Sequence, residues 1–275
     1  IMDAANSQRT QDDQVQEMID NGCDILCVNL ADRTDPSEII DTARENDVPI
    51  IFFNREPVEE DLMQWNKLYY VGAEAKQSGQ MQGELAADYI KENPSVDKNS
   101  DGKIQYVILE GELGHQDAVI RTESVAESMK ENGVELEKLS YQTANWNRAQ
   151  AQNRMTQLIG QYKNSIELVI ANNDAMALGA MDAYEKLGIT DSNYPVFFGI
   201  DGTDEGLEAV RQSKLAATVY NDKEGQTYAM AQLAYAVVTG YGMNNIGFEN
   251  KKYIYLPYKK VTAGNVTDFI DNIQD

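Results

Sequence analysis

The stretch Leu168-Val-Ile-Ala-Asn-Asn-Asp-Ala-Met-Ala-Leu-Gly-Ala-Met-Asp-Ala-Tyr-Glu-Lys-Leu187 decides the fold. Residues 168–171 form a short unbroken apolar run, the pattern of a strand covered on both faces. Residues 175–187 carry apolar side chains at helical spacing. Between them stands Asn172-Asn-Asp174, residue types that turn a chain and cap a helix. A second apolar strand follows over 195–200. Strand, helix and strand in that order read as a parallel α/β unit.

The same alternation extends in both directions. Upstream, strands are expected over 24–30, 49–53, 69–71, 105–109 and 135–139, with helices over 36–46, 75–92, 118–132 and 148–162. Downstream, a helix over 206–212, a strand over 216–220 and a helix over 223–239 precede short strands over 252–255 and 259–261. The fold class is therefore α/β, with parallel sheets carrying helices on both faces. At 275 residues the chain exceeds the usual size of one domain, so two doubly wound lobes are expected.

Ligands of such sheets bind beyond the carboxyl ends of the strands. Those positions hold Asn54-Arg-Glu56, Glu110 through His115 and Asp117 with Arg121 following, Ala144-Asn-Trp146-Asn147, Asn172-Asn-Asp174, Asp201-Gly202 and Asn221-Asp222. Any one of them could be an ordinary turn or cap residue. Delivered together from strand after strand, they match a sugar. Its hydroxyls both donate and accept, so a carboxylate or amide can engage two neighbours. Its ring presents C–H faces that pack on an aromatic side chain such as Trp146.

Composition narrows the partners. With 45 acidic and 23 basic residues the formal net charge is −22, which repels phosphate backbones and makes nucleic acid an unsuitable partner. No apolar run reaches the length of about 18 residues needed to span a bilayer. Cys23 and Cys27 fall in the expected strand 24–30, where residues four apart lie about 13 Å from each other. A disulfide reaches about 7 Å between Cα atoms, so the two are expected to be small buried hydrophobes.

Three blocks carry a family resemblance: Ile170-Ala-Asn-Asn-Asp-Ala-Met-Ala-Leu-Gly179, Val48-Pro-Ile-Ile-Phe-Phe-Asn-Arg-Glu-Pro57 and Gly111-Glu-Leu-Gly-His-Gln-Asp-Ala-Val-Ile-Arg-Thr122. Each resembles the matching stretch of the glucose/galactose-binding proteins of bacterial sugar ABC transporters, which have the type 1 periplasmic-binding-protein fold. The likeness runs over essentially the whole chain. It implies two lobes joined by a three-segment hinge, the first over 1–71 and 225–254, the second over 73–223 and 258–275. It implies that Asn54, His115, Asp117, Arg121, Trp146, Asn173, Asp201 and Asn221 hold a hexose, D-glucose or D-galactose, between the lobes, with Asp174 a secondary candidate. A membrane ABC permease is the implied partner, with a chemoreceptor as a further one. The implied form is a monomer outside the cytoplasm, in the periplasm or lipid-anchored outside the cell membrane. The family also has a strand and helix ahead of the point matched by Ile1, bearing a second aromatic face and an aspartate that separates galactose from glucose. The first strand and helix of the first lobe are therefore expected to be absent from this chain.

Asp97-Lys-Asn-Ser-Asp-Gly-Lys-Ile-Gln105 reads as the start of an EF-hand loop, D-x-N-x-D-G, with Gly102 at the sharp turn. The twelfth position is Ile108 rather than Glu, which excludes a simple EF-hand. Asp97, Asn99, Asp101, the Lys103 carbonyl and Gln105 supply oxygens, fewer than the about six to eight that calcium takes. By resemblance, Glu167 completes a structural Ca2+ site; the alternative is a solvated turn.

Two other readings compete. Asp117, Asp174 and Asp201 could pair as glycosidase carboxylates, but no nucleophile motif, phosphate loop or catalytic metal pattern accompanies them, so no enzyme is expected. The ligand-sensing core of a LacI-type regulator shares the fold, yet it would need a basic DNA-binding segment, against which the acidity argues.

Overall fold

The computed structural model describes residues 1–189 and 193–270. The chain divides into two compact α/β units, Ile1–Glu74 with Asp222–Pro257, and Ala75–Asn221 with Tyr258–Asp275, and passes between them three times. Residues 190–192 and 271–275 of the expected second lobe lie outside the described residues. Ala73, Glu74, Asp222 and Lys223, expected in the second lobe, go with the first. Asp222 is the N-cap of the helix that follows, its side chain accepting from Gly225 N, so the cap travels with its helix.

The first unit opens with helix α1 (Gln8–Asp20), which the sequence did not announce. Only Val15 of this helix is buried, and its one clear signal is the N-cap Ser7, whose hydroxyl accepts from Thr10 N at 3.2 Å. A helix so polar leaves little apolar periodicity to read. Strand β1 (Leu26–Val28), helix α2 (Ser37–Glu45), strand β2 (Ile50–Phe53), the single turn α3 (Glu59–Leu62) and strand β3 (Leu68–Gly72) follow. Helix α2 buries Ile39, Ile40 and Ala43 against Ile50, Phe52 and Tyr70.

The second unit begins with α4 (Ala75–Glu92) and continues through β4 (Ile104–Glu110), α5 (Gln116–Glu131), β5 (Leu136–Thr143), α6 (Arg148–Tyr162), β6 (Leu168–Ala171), α7 (Asp174–Lys186), β7 (Val196–Phe198), α8 (Asp204–Arg211) and β8 (Ala217–Tyr220). Returning to the first unit, the chain forms α9 (Lys223–Thr239) and β9 (Tyr253–Tyr255). It ends in the second with β10 (Lys259–Thr262) and α10 (Thr267–Ile270).

The first sheet runs β1-β2-β3-β9, with every neighbouring pair parallel. The second runs β10-β8-β7-β6-β4-β5. It is parallel except for β10, which pairs antiparallel with β8 through Lys259↔Tyr220 to Thr262↔Ala217. An edge strand entering from a short return needs no crossover helix, so this one pair in an otherwise parallel sheet runs antiparallel. Strand β5 is also longer than expected and stays half-exposed as the other edge.

Cys23 and Cys27 are free thiols, and both are exposed rather than buried. Only Leu26–Val28 of the expected strand pairs, and its pleat turns Leu26 and Val28 inward while Cys27 takes the opposite face. That face borders an open groove of about 670 Å³ lined by Cys27, Met2, Ala4, Phe53 and Met230, all of the first unit.

Helices α4 and α5 touch through small residues. A Cβ on Gly83 would sit 2.6 Å from Ser128 Cβ and 2.7 Å from the Val125 carbonyl, and one on Gly79 would sit 2.0 Å from Ser124 Oγ. Backbone cannot yield as a side chain does. Gly83→Ala gains about 1 kcal/mol of helix propensity but overpacks the contact at a cost of about 1–3 kcal/mol. The substitution should lower the midpoint of urea unfolding; a raised midpoint would show that the two helices are free to separate.

Candidate functional site

The carboxyl ends of β4, β5, β6, β7 and β8 gather one cluster within the second unit, and Arg121 is its hub. Arg121 lies one turn beyond Asp117 on α5, so both side chains share a helix face. It is 5% exposed. Nη1 donates to the Asn172 carbonyl at 2.7 Å and Nη2 to Tyr258 Oη at 2.9 Å. Nη1 stands 3.6 Å from Asp201 Oδ1 and Nη2 3.8 Å from Asp117 Oδ2. The guanidinium carbon lies 5.7 Å from the centre of the Trp146 ring and 5.9 Å from that of Tyr258. Its Nε–H is buried and has no hydrogen-bond partner among the described residues. Burial pulls the Arg121 pKa down, but Tyr258, Asp201 and Asp117 outweigh it and hold the group above its ordinary value, so it stays charged.

Asp201 follows β7. Its backbone N–H donates to Val219 O at 2.8 Å and its carbonyl accepts from Asn221 N at 2.9 Å, which locks the two residues side by side beyond β8. Burial raises the Asp201 pKa to about 6, with Asp117 adding to the rise and Arg121 opposing it. The residue holds φ +113°, a backbone region that side chains rarely adopt, and Gly202 follows at +65°.

Trp146 stands after β5, where Asn145 and Trp146 have φ of +52° and +60°. This double left-handed turn aims the indole back over the cluster. Three contacts hold it there. Its carbonyl accepts from Asn173 Nδ2 at 3.4 Å, its ring meets His115 edge-on at 5.1 Å, and Gly111 leaves it room. A Cβ on Gly111 would fall 2.1 Å from the indole. His115 also caps α5, its Nδ1 accepting from Asp117 N at 3.2 Å.

The structure thus brings together His115, Asp117, Arg121, Trp146, Asn173, Asp201 and Asn221. Asn173 has two tasks within the fold: besides holding Trp146, its Oδ1 caps α7 by accepting from Met176 N at 2.9 Å. Asn54 belongs to the first unit, exposed at the carboxyl end of β2, with φ +60° and its carbonyl accepting from Tyr70 Oη at 3.0 Å. Asp174, the secondary candidate, is fully buried; its carboxylate accepts from Thr203 N, Thr203 Oγ1 and Thr218 Oγ1. Burial first, and then nearby Asp201, raise its pKa to about 7 against those hydrogen bonds. Sequence reasoning missed Tyr258 and Gly111. Nothing local marks Tyr258, which is delivered only when the chain returns to the second unit. Gly111 carried a signal, as a glycine at a strand end.

The acidic loop folds on itself. Asp97 accepts from Asp101 N and Gly102 N, Asp101 from Lys103 N, and the Asn99 and Gln105 amides converge on Asp101 Oδ2 at 3.1 and 3.0 Å. Glu167, 1% exposed, reaches in from the start of β6 and accepts from Lys98 N and Gln105 N at 2.7 and 3.0 Å. Among the described residues no three His, Cys, Asp or Glu side chains stand together to hold a metal. Asn99 and Gln105 thus turn amide N–H groups toward Asp101, and the loop as folded is closed by its own hydrogen bonds.

Two α/β units with polar residues at the carboxyl ends of parallel strands define the class of two-lobed substrate-binding proteins. The periplasmic binding protein domain family matches residues 1–242, and the chain belongs to that family. The D-galactose/methyl-galactoside binding periplasmic protein MglB of Haemophilus influenzae is 37% identical over 271 residues, covering 98% of this chain and 81% of the relative. The ribose import binding protein RbsB of Salmonella typhimurium is 26% identical, covering 80% of this chain and 67% of its own length. An ABC transporter solute-binding protein of Bacillus halodurans, solved with bound myo-inositol, superposes with a TM-score of 0.81 at 30% identity, covering 98% of this chain and 85% of that one. As a member of this family the chain is a binding protein, not an enzyme. No helix among the described residues is long and apolar enough to cross a membrane.

Proposed function

We propose that the chain is an extracytoplasmic substrate-binding protein that captures a hexose, D-glucose or D-galactose, for an ABC transporter permease, and that the bound form is also available to a chemoreceptor. The observation that carries the reading is the buried Arg121 fork flanked by the Asp117 and Asp201 carboxylates, with the Trp146 ring beside it. Two carboxylates against one guanidinium disfavour an anionic ligand and suit a neutral one rich in hydroxyls. The unpartnered Nε–H of Arg121 is a donor awaiting an acceptor, and Asp117 and Asp201 are acceptors awaiting hydroxyls. Asn173, Asn221 and His115 are the further contacts proposed in the second unit, and Asn54 is the contact proposed for the first. The galactose-binding relative supports a hexose. The inositol-bound structure favours, as a second reading, a cyclic polyol, which presents the same ring of hydroxyls.

We further propose that Asp97, Asn99, Asp101, the Lys103 carbonyl, Gln105 and Glu167 hold a structural Ca2+. The support is the all-oxygen donor set and the buried Glu167 that ties the loop to β6.

Calorimetry against glucose, galactose, myo-inositol, ribose and amino acids should show a hexose bound most tightly and returned unchanged. Trp146→Ala should cost about 1–3 kcal/mol of that affinity with little change in the melting temperature of the sugar-free protein. Binding of an amino acid alone would overturn the ligand class, and a large loss of stability at normal affinity would make Trp146 a core residue.

Calcium added to protein first stripped with chelator should raise its melting temperature by mass action. Asp101→Ala should abolish that rise while leaving sugar affinity in place. A melting curve that calcium does not move would reduce the loop to a turn.

A further inference from the structure

Asp174 is an ionisable group outside the contacts gathered around Arg121, and it is 0% exposed. Its contacts bracket the turn that carries Asp201. On one side its backbone N–H donates to Ile200 O at 2.7 Å. On the other its Oδ2 accepts from Thr203 N at 2.8 Å and Thr203 Oγ1 at 3.3 Å, while Oδ1 accepts from Thr218 Oγ1 of β8 at 2.6 Å. Ile200 and Thr203 are the two anchors between which Asp201 and Gly202 take their positive φ of +113° and +65°. A side chain holds such a conformation only where its surroundings over-determine it. The carboxylate also has no slack: a Cβ on Gly199 or Gly206 would lie 2.2 Å from one of its oxygens. Thr203 in turn caps α8 by accepting from Gly206 N at 3.1 Å, so the clamp is continuous with a helix.

We propose that Asp174 is a positioning residue: it fixes the Asp201 turn, and through Asp201 it sets which arrangement of ligand hydroxyls the site accepts. The inference rests on the reading of Asp201 as a ligand contact. Replacing Asp174 by Asn keeps its shape but removes one acceptor from a set in which Thr203 and Thr218 both donate. The turn then loses one anchor, and the Asp201 carboxylate leaves the orientation in which it faces Arg121 Nη1.

A double-mutant cycle tests this, with calorimetric affinities for glucose, galactose and their monodeoxy derivatives measured on the wild type, Asp174→Asn, Asp201→Ala and the double variant. Asp174→Asn should weaken the preferred hexose about tenfold and narrow the gap between that sugar and its deoxy derivatives. In the Asp201→Ala background the same substitution should change affinity by less than about twofold, since the group it acts through is gone. Equal losses in both backgrounds, or a lowered melting temperature with unchanged affinity, would make Asp174 a purely structural brace and overturn the proposal. Should Asp174→Asn fail to fold, Thr218→Val, which deletes only the Oδ1 donor, is read in the same cycle against the same outcomes. If Asp201→Ala leaves every affinity unchanged, the ligand reading itself falls and the inference falls with it. If Asp201→Ala weakens binding and Asp174→Asn does not, only the inference falls.

Discussion

A guanidinium buried beneath the surface of the second unit is the constraint around which the site is built. Removing a charge from water is costly unless it is paired and hydrogen-bonded, so Arg121 requires neighbours on every side. It finds them on separate elements: Asp117 on its own helix, the Asn172 carbonyl after β6, Asp201 after β7, Tyr258 on the returning chain and the Trp146 ring after β5. Each element is thereby held at one point. The direct hydrogen bonds go to neutral oxygens, while both carboxylates stand off at 3.6 and 3.8 Å. That spacing leaves the carboxylates with lone pairs to offer, and it leaves Nε–H with a hydrogen to give.

A second, wholly internal ionisable group performs the complementary task. Asp174 begins α7 and spans from that helix to the turn after β7 and to β8. Arg121 gathers the strand ends through its contacts with Asn172, Asp201 and Tyr258; Asp174 fastens the turn after β7 to β8. The glycines at 199 and 206 exist in this packing because the carboxylate fills the space their side chains would need. Backbone strain at Asp201 and the left-handed pair at Asn145 and Trp146 are stored where the proposed contact residues sit, and the surrounding contacts hold them.

Most of the fold was legible in the sequence because buried parallel strands such as 168–171 and 105–109 are unbroken apolar runs, and their helices repeat apolar residues at the right spacing. What could not be read has physical reasons. Helix α1 buries Val15 alone, so it lacks a stripe. Cys27 sits in an apolar run, but β1 is an edge strand whose pleat turns it outward. The site was legible as a set of polar residues at strand ends, since topology alone brings strand ends together. Their individual tasks were not. Asn173 looks like a contact and also caps α7, and Asp174 looks the same in sequence yet is enclosed. Tyr258 contributes through a return of the chain, a long-range event that leaves no local mark.

The central claim is that the planar fork of Arg121, and not merely a positive charge, organises the contact residues for a neutral sugar. Arg121→Lys keeps the charge but cannot reach Asn172 O and Tyr258 Oη together or present a third donor along a fixed plane. The most direct measurement is the hexose affinity of Arg121→Lys by calorimetry, with the sugar-free protein checked for folding by its melting transition. The account predicts a loss of at least about tenfold in a variant that still melts cooperatively. Wild-type affinity in a folded Arg121→Lys protein would contradict it.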